Sequence, residues 1–135
     1  MTSPSAANSP ATDSPSPVFR SAGISYLHIP SDDPGQSARF YHHVFGWTVH
    51  DNGNDAGFKD GTGHVIGAWV KDRASSGDAG VLTYVHVDNV DRVLDRVSAG
   101  GGQVLRAPYA EGDLRVATFK DPFGSVMGLW QRATT

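Results

Sequence analysis

Residues 58–69, FKDGTGHVIGAW, recur at residues 119–130 as FKDPFGSVMGLW. At an offset of 61 the two copies agree at seven of twelve positions: Phe58/Phe119, Lys59/Lys120, Asp60/Asp121, Gly63/Gly124, Val65/Val126, Gly67/Gly128 and Trp69/Trp130. Self-similarity at a fixed spacing marks one supersecondary unit used twice. Each copy reads as the end of a strand, a tight turn and a new strand. Asp-Gly-Thr-Gly and Asp-Pro-Phe-Gly supply the turn residues, and the apolar runs after them have strand character. Glycine stands inside both runs, where close approach of another group is expected.

Working outward, each copy closes a longer unit. Residues 23–30, GISYLHIP, read as a strand with Ile24, Tyr26 and His28 on one face and Ser25, Leu27 and Ile29 on the other. Asp32 or Asp33 offers an N-cap, Pro34 suits the first helical position, and Ala38, Tyr41, Val44 and Phe45 form a helical stripe that Gly46 ends. Strands around 47–50, 57–59 and 64–70 complete a β-α-β-β-β module, with a turn at 52–55. After a linker at 71–80 the order repeats. A strand at 81–87 precedes a helix capped by Asn89 with the stripe Val90, Val93, Leu94 and Val97, stopped by Gly100, Gly101 and Gly102. Strands are then expected at 103–107, 114–120 and 125–131, with the turn-rich PYAEGD at 108–113. Even the first strands echo each other, Tyr26-Leu27-His28 against Tyr84-Val85-His86.

Composition narrows the function classes. A chain of 135 residues with 39% apolar content suits one domain with a real core. Net charge is −3 with no basic stripe, which argues against nucleic acid. There is no cysteine, hence no disulfide framework and no thiolate ligand or nucleophile. No apolar run approaches the roughly 20 residues that span a bilayer, so a soluble, cytoplasmic protein without membrane contact is expected. Residues 1–20 are rich in Ser and Pro and read as a disordered tail without signal-peptide character. The domain proper is expected over 21–133, with modules at 22–70 and 81–132.

The doubled module, with Ile29-Pro30-Ser31-Asp32-Asp33-Pro34, Phe40-Tyr41, Phe45-Gly46-Trp47, Val87-Asp88-Asn89-Val90-Asp91, the glycines 100–102 and Asp121-Pro122-Phe123-Gly124 leading to Gly128-Leu129-Trp130-Gln131, resembles the vicinal oxygen chelate superfamily. That superfamily includes glyoxalase, bleomycin-resistance and extradiol-dioxygenase-like proteins. The resemblance covers about residues 22–132. It implies an α+β fold, two tandem β-α-β-β-β modules forming a cup-shaped half barrel with helices on the convex side, and a homodimer. It also implies, for the enzymes, a divalent metal in the cup held by His, Glu or Gln from the first and last strand of each module. Here the last-strand slots fall on Gly67 and Gly128, and the first-strand slots on Tyr26 and Leu82. Glycine and leucine offer no donor and neutral tyrosine is a poor one. The resemblance therefore implies a family member without the usual metal and with no cofactor.

The expected ligand is an aromatic or apolar small molecule held in the cup, as in drug sequestration. Its expected contacts are Tyr26, His28, Gly67, Trp69, Tyr84, His86, Gly128 and Trp130, the tryptophans giving an aromatic wall beside a glycine gap. One alternative is a lyase, isomerase or dioxygenase using a divalent metal on His28 and His86, with Glu111, Asp113 or His64 as third ligand. Another is a metal-free acid/base enzyme using one of those imidazoles. Tyr109 and Phe123 are weaker candidates for the rim of the cup, Arg115 for an anionic ligand.

Overall fold

The computed structural model describes residues 17–52, 55–77 and 79–132. Most of the expected tail, and half of the 52–55 turn, lie outside the described residues. Residues 17–20, read from sequence as tail, pack on the first module. Val18 is buried, and the Arg20 guanidinium donates to the carbonyls of Ile24, at 2.9 Å, and His64, at 3.3 Å.

Module one runs β1 (Tyr26–Pro30), α1 (Pro34–Phe45), β2 (Thr48–Asp51), β3 (Ala56–Lys59) and β4 (Ile66–Val70). Module two runs β5 (Thr83–His86), α2 (Val90–Ala99), β6 (Gln103–Glu111), β7 (Leu114–Lys120) and β8 (Val126–Arg132). The sheet orders are β1-β4-β3-β2 and β5-β8-β7-β6. In each, the first and last strands are parallel and the remaining pairs antiparallel. Two open four-stranded sheets, each with one helix, make the α+β architecture that the sequence implies.

The helices form where their caps dictate. Asp33 accepts a hydrogen bond from the Gln36 amide, Pro34 starts α1, and Gly46 at φ +75 ends it in the left-handed conformation. Asn89 does the same for α2 through the Arg92 amide. Strand β6 is longer than the sequence suggested. Residues 109–111 pair with β7, which leaves only Gly112 and Asp113 as the loop. Pro108 is tolerated there because β6 is an edge strand and its pairing slips twice along its length.

The core lies between each sheet and its helix and continues across both modules. Tyr41 of α1 packs against Trp47 at 5.4 Å and Trp69 at 5.5 Å between ring centroids, and Trp47 stacks on Phe58 at 4.7 Å. Phe40 and Phe45, on the same helix, reach Phe119 of module two at 6.2 and 6.1 Å. Such pairs contribute about 0.5–1.5 kcal/mol each beyond their area burial.

One polar contact runs through this core. The Tyr41 hydroxyl donates to Asp121 Oδ2 at 2.7 Å, while Asp121 Oδ1 accepts from the amides of Phe123 and Ser125. Both side chains are buried. Burial pushes the Asp121 carboxyl above the usual aspartate range, against the pull of its donors, Tyr41 first among them. Burial, then the neighbouring Asp121, drives the Tyr41 phenol well above its ordinary value.

Tyr41→Phe is expected to cost about 1–3 kcal/mol in denaturant unfolding, because it strips a donor from a buried carboxylate. The same change should raise the Asp121 pKa further, read as the carboxyl carbon shift in an NMR titration. A carboxyl with a raised folded pKa stabilises most below the unfolded value, and the contribution fades as pH rises through the folded one. Wild type should therefore lose stability relative to Asp121→Asn as pH is raised from about 4.

Candidate functional site

Directly paired residues share a face of a sheet and successive ones alternate, so the registers decide what each sheet offers. In module one, Leu27, Ile29, Gly67, Trp69, Ala56, Phe58 and Val49 point towards α1. Tyr26, His28, Ile66, Ala68, Lys59, Thr48 and His50 lie on the opposite, open face. In module two, Val85, Met127, Leu129, Ala117 and Phe119 point towards the helices. Tyr84, His86, Gly128, Trp130, Val116 and Thr118 lie on the open face.

Six of the eight expected contact residues thus lie on open faces. Gly67 and Trp69 do not. Trp69 is 2% exposed, packed on Tyr41 and Phe58, and its indole Nε1 is buried without a hydrogen-bond partner among the described residues. Gly67 faces the Phe58 ring, on the helix side.

The cause is one residue in a turn. In module one Lys59 pairs with Ile66 around residues 60–65; in module two Lys120 pairs with Val126 around residues 121–125. The first turn is one residue longer, and a slip of one transfers every following side chain to the other face. The structural counterpart of Gly128 is therefore Ala68, that of Trp130 is Val70, and Trp69 corresponds to Leu129. The first strands follow the helix caps rather than their Tyr-x-His echo. His28 stands opposite Ala68 and Tyr84 opposite Gly128, so His28 and Tyr84 are counterparts.

On the open face of module two the Tyr84 ring lies across Gly128, where an added Cβ would collide with it. His86 meets Trp130 edge-on at 4.6 Å. These rings share the open face along β5 and its neighbour β8, with Tyr84 44% exposed. On the open face of module one Tyr26 meets His28 edge-on at 5.1 Å. A hollow of about 390 Å³ beside Tyr26 is bordered by Thr48, His50, Lys59, Ile66 and Ala68. The His50 ring lies over Gly57 as Tyr84 lies over Gly128. The sequence reading passed over His50, Lys59 and Thr48. Their one signal was alternation along β2 and β3, which becomes readable only once the register is known.

The remaining candidates are placed elsewhere. Arg115 is held by Asp91 in a two-pronged ion pair, both contacts at 2.9 Å. Tyr109 lies in β6 under the Arg106 guanidinium, 3.6 Å from its ring centroid. His64 is exposed in the β3–β4 turn, Glu111 ends β6 and Asp113 lies in the β6–β7 loop. Among the described residues no three His, Asp or Glu side chains stand together as a metal-holding group. His28 and His86 lie on strands with no Cα atoms within 8 Å of each other. At the four ligand slots, corrected for register, stand Tyr26, Ala68, Leu82 and Gly128. The residues of one chain do not fit the usual divalent metal. No described helix is long and apolar enough to cross a membrane.

Fold and site together define a class. Residues 23–128 match the model of the Glyoxalase/Bleomycin resistance protein/Dioxygenase superfamily, and the chain belongs to that family. The putative glyoxylase CFP32 of Mycobacterium bovis and of Mycobacterium tuberculosis is 32% identical over 122 residues, 84% of this chain and 47% of the relative. The chain thus spans about half the length of these curated relatives. Among solved structures, a glyoxalase/bleomycin resistance protein/dioxygenase family enzyme from Burkholderia phytofirmans PsJN superposes with a TM-score of 0.69 at 21% identity, covering 82% of this chain and 99% of that one. TnmS3, an antibiotic binding protein from Streptomyces sp. CB03234, superposes with a TM-score of 0.65 at 22% identity, covering 82% and 96%.

The two repeat tryptophans should separate cleanly. Trp69→Ala is expected to cost about 3–5 kcal/mol in urea unfolding. The partly exposed Trp130 should cost less when changed to Ala, because it buries less surface than Trp69.

Proposed function

We propose that this chain is a metal-free binding protein that holds a flat aromatic or apolar small molecule against the open face of module two, in a sequestration role. The observation that carries this reading is Tyr84 lying across Gly128 beside Trp130 and His86. Where the enzymes of the family would place an acidic metal ligand, this chain has a glycine seat roofed by an exposed ring. Aromatic rings stack on such a surface with favourable energy and few side chains to order, and the imidazole supplies a polar edge for orientation. The antibiotic-binding activity of TnmS3, a neighbour in fold, supports the same reading.

The reading extends to assembly. Each sheet buries one face on the shared core and leaves the other open, and β1 and β5 are both bare edges. Exposed strand edges flanked by aromatic residues invite pairing with another chain. A homodimer that sets the open face of module one from one copy beside the open face of module two from the other would close the cup around the ligand. Light scattering should give twice the chain mass; a monomer at micromolar concentration would remove the composite cup.

Gly128→Trp is expected to displace Tyr84 and abolish quenching of tryptophan fluorescence by planar aromatic compounds, while the circular dichroism spectrum stays that of wild type. Binding that survives in this variant would show the seat to be elsewhere. The competing enzymatic reading, which the glyoxylase name of CFP32 suggests, makes a different prediction. Thermal unfolding of metal-stripped protein is expected to be unchanged by Mn²⁺, Fe²⁺, Ni²⁺ or Zn²⁺. A raised midpoint that disappears in His28→Ala or His86→Ala would overturn the metal-free reading.

A further inference from the structure

A cavity larger than the hollow beside Tyr26 opens between the modules. It is a cleft of about 830 Å³ between module one and the edge strand β5, within the size range of drug-sized ligand sites. Half-buried Leu27, Phe45, Val85 and Val87 line it, packed on the core that holds Val44, Trp47, Phe58 and Val93. Arg92 and Arg96, one turn apart on α2 and both exposed, also border it. Neither has a carboxylate within 4 Å among the described residues, where the ion pairs are Arg39–Asp51 and Arg115–Asp91. The lining carries two carboxylates as well. Asp60 Oδ1 is occupied by the Thr62 amide and hydroxyl and the Val65 amide, and Asp88 is exposed ahead of the α2 cap.

An apolar wall beside two unpaired guanidiniums has a definite complement. We propose that this cleft binds an amphipathic organic anion, with an acyl or aryl body against Leu27, Phe45, Val85 and Val87 and a carboxylate or sulfonate on Arg92 and Arg96. The body gains from leaving water, in proportion to the apolar area it buries. The planar forks of arginine match a carboxylate in geometry as well as charge. Because both guanidiniums are solvated, the head group adds selectivity of about tenfold rather than most of the affinity. Tyr84 and His86 of the Gly128 seat also border this cleft, while Arg92, Arg96 and the module-one wall lie outside that seat, so the double arginine change tests this site alone.

Decanoate and 1-decanol share the body and differ in the head, so they serve as the probe pair, read by isothermal titration calorimetry on the full chain. Decanoate should bind about tenfold more tightly than the alcohol. The double variant Arg92→Gln/Arg96→Gln should lower decanoate affinity about tenfold and leave 1-decanol unchanged, the alcohol also reporting that the cleft is intact. Trp130→Ala should alter neither. Equal affinity for acid and alcohol, an unchanged double variant, or no decanoate binding at all would overturn the proposal. Loss of decanoate binding in Trp130→Ala would overturn it too, by moving the ligand to the open face.

Discussion

A buried hydrogen bond from the Tyr41 hydroxyl to Asp121 ties the two modules together inside their shared core. Its members belong to different modules and each does a second job. Tyr41 stands at the centre of the aromatic packing of module one, with Trp47, Trp69 and Phe45 around it. Asp121 opens the β7–β8 turn and holds it with its other oxygen. A carboxylate out of water is costly unless it is hydrogen-bonded, so its three donors define one arrangement of helix and turn. Module one has no equivalent contact. Its own turn aspartate, Asp60, bonds only within its turn, and Val97 of α2 takes the place that Tyr41 has in α1.

Around this lock the sheets use a recurrent device. Gly57 faces His50, Gly67 faces Phe58 and Gly128 faces Tyr84, each pair directly opposed across neighbouring strands. At all three a Cβ would collide with the ring, so the absence of a side chain is what lets the ring lie flat on the sheet. The difference is the face. Phe58 lies on the core side and its ring completes the aromatic packing. His50 and Tyr84 lie on the open side, where a ring held flat is a surface a ligand can use.

Much of this was legible in the sequence. The caps at Asp33 and Asn89, the left-handed Gly46 and the apolar stripes of both helices formed as their residue types required, and the doubled strand-turn-strand predicted two sheets of like topology. What failed was register. Seven matched residues argue for an unbroken offset of 61, yet the pairing of Lys59 with Ile66 and Lys120 with Val126 breaks that offset inside the turn. Identity in sequence carries no information about an inserted turn residue when residues on both sides of it happen to match. In a strand that single residue decides whether a side chain meets helix or solvent. The site suffered for the same reason. His50 and Lys59 become neighbours of Tyr26 only through three strand pairings that no local pattern specifies.

The slip also explains why one duplicated module serves two purposes. Trp69 and Trp130 sit at matched places in the repeat, but the first fills the core under Tyr41 and the second meets His86 on an open face. Module one turns most of its aromatic residues inwards, in Tyr41, Phe45, Trp47, Phe58 and Trp69, and its open face sets Thr48, His50 and Lys59 beside Tyr26 and Ile66. Module two has an aliphatic core of Val90, Val93, Leu94, Val97 and Leu129 around Phe119, and turns its tyrosine and tryptophan outwards. The one-residue difference thus acts on the last strand of the module, turning Trp69 to the core where Trp130 faces out.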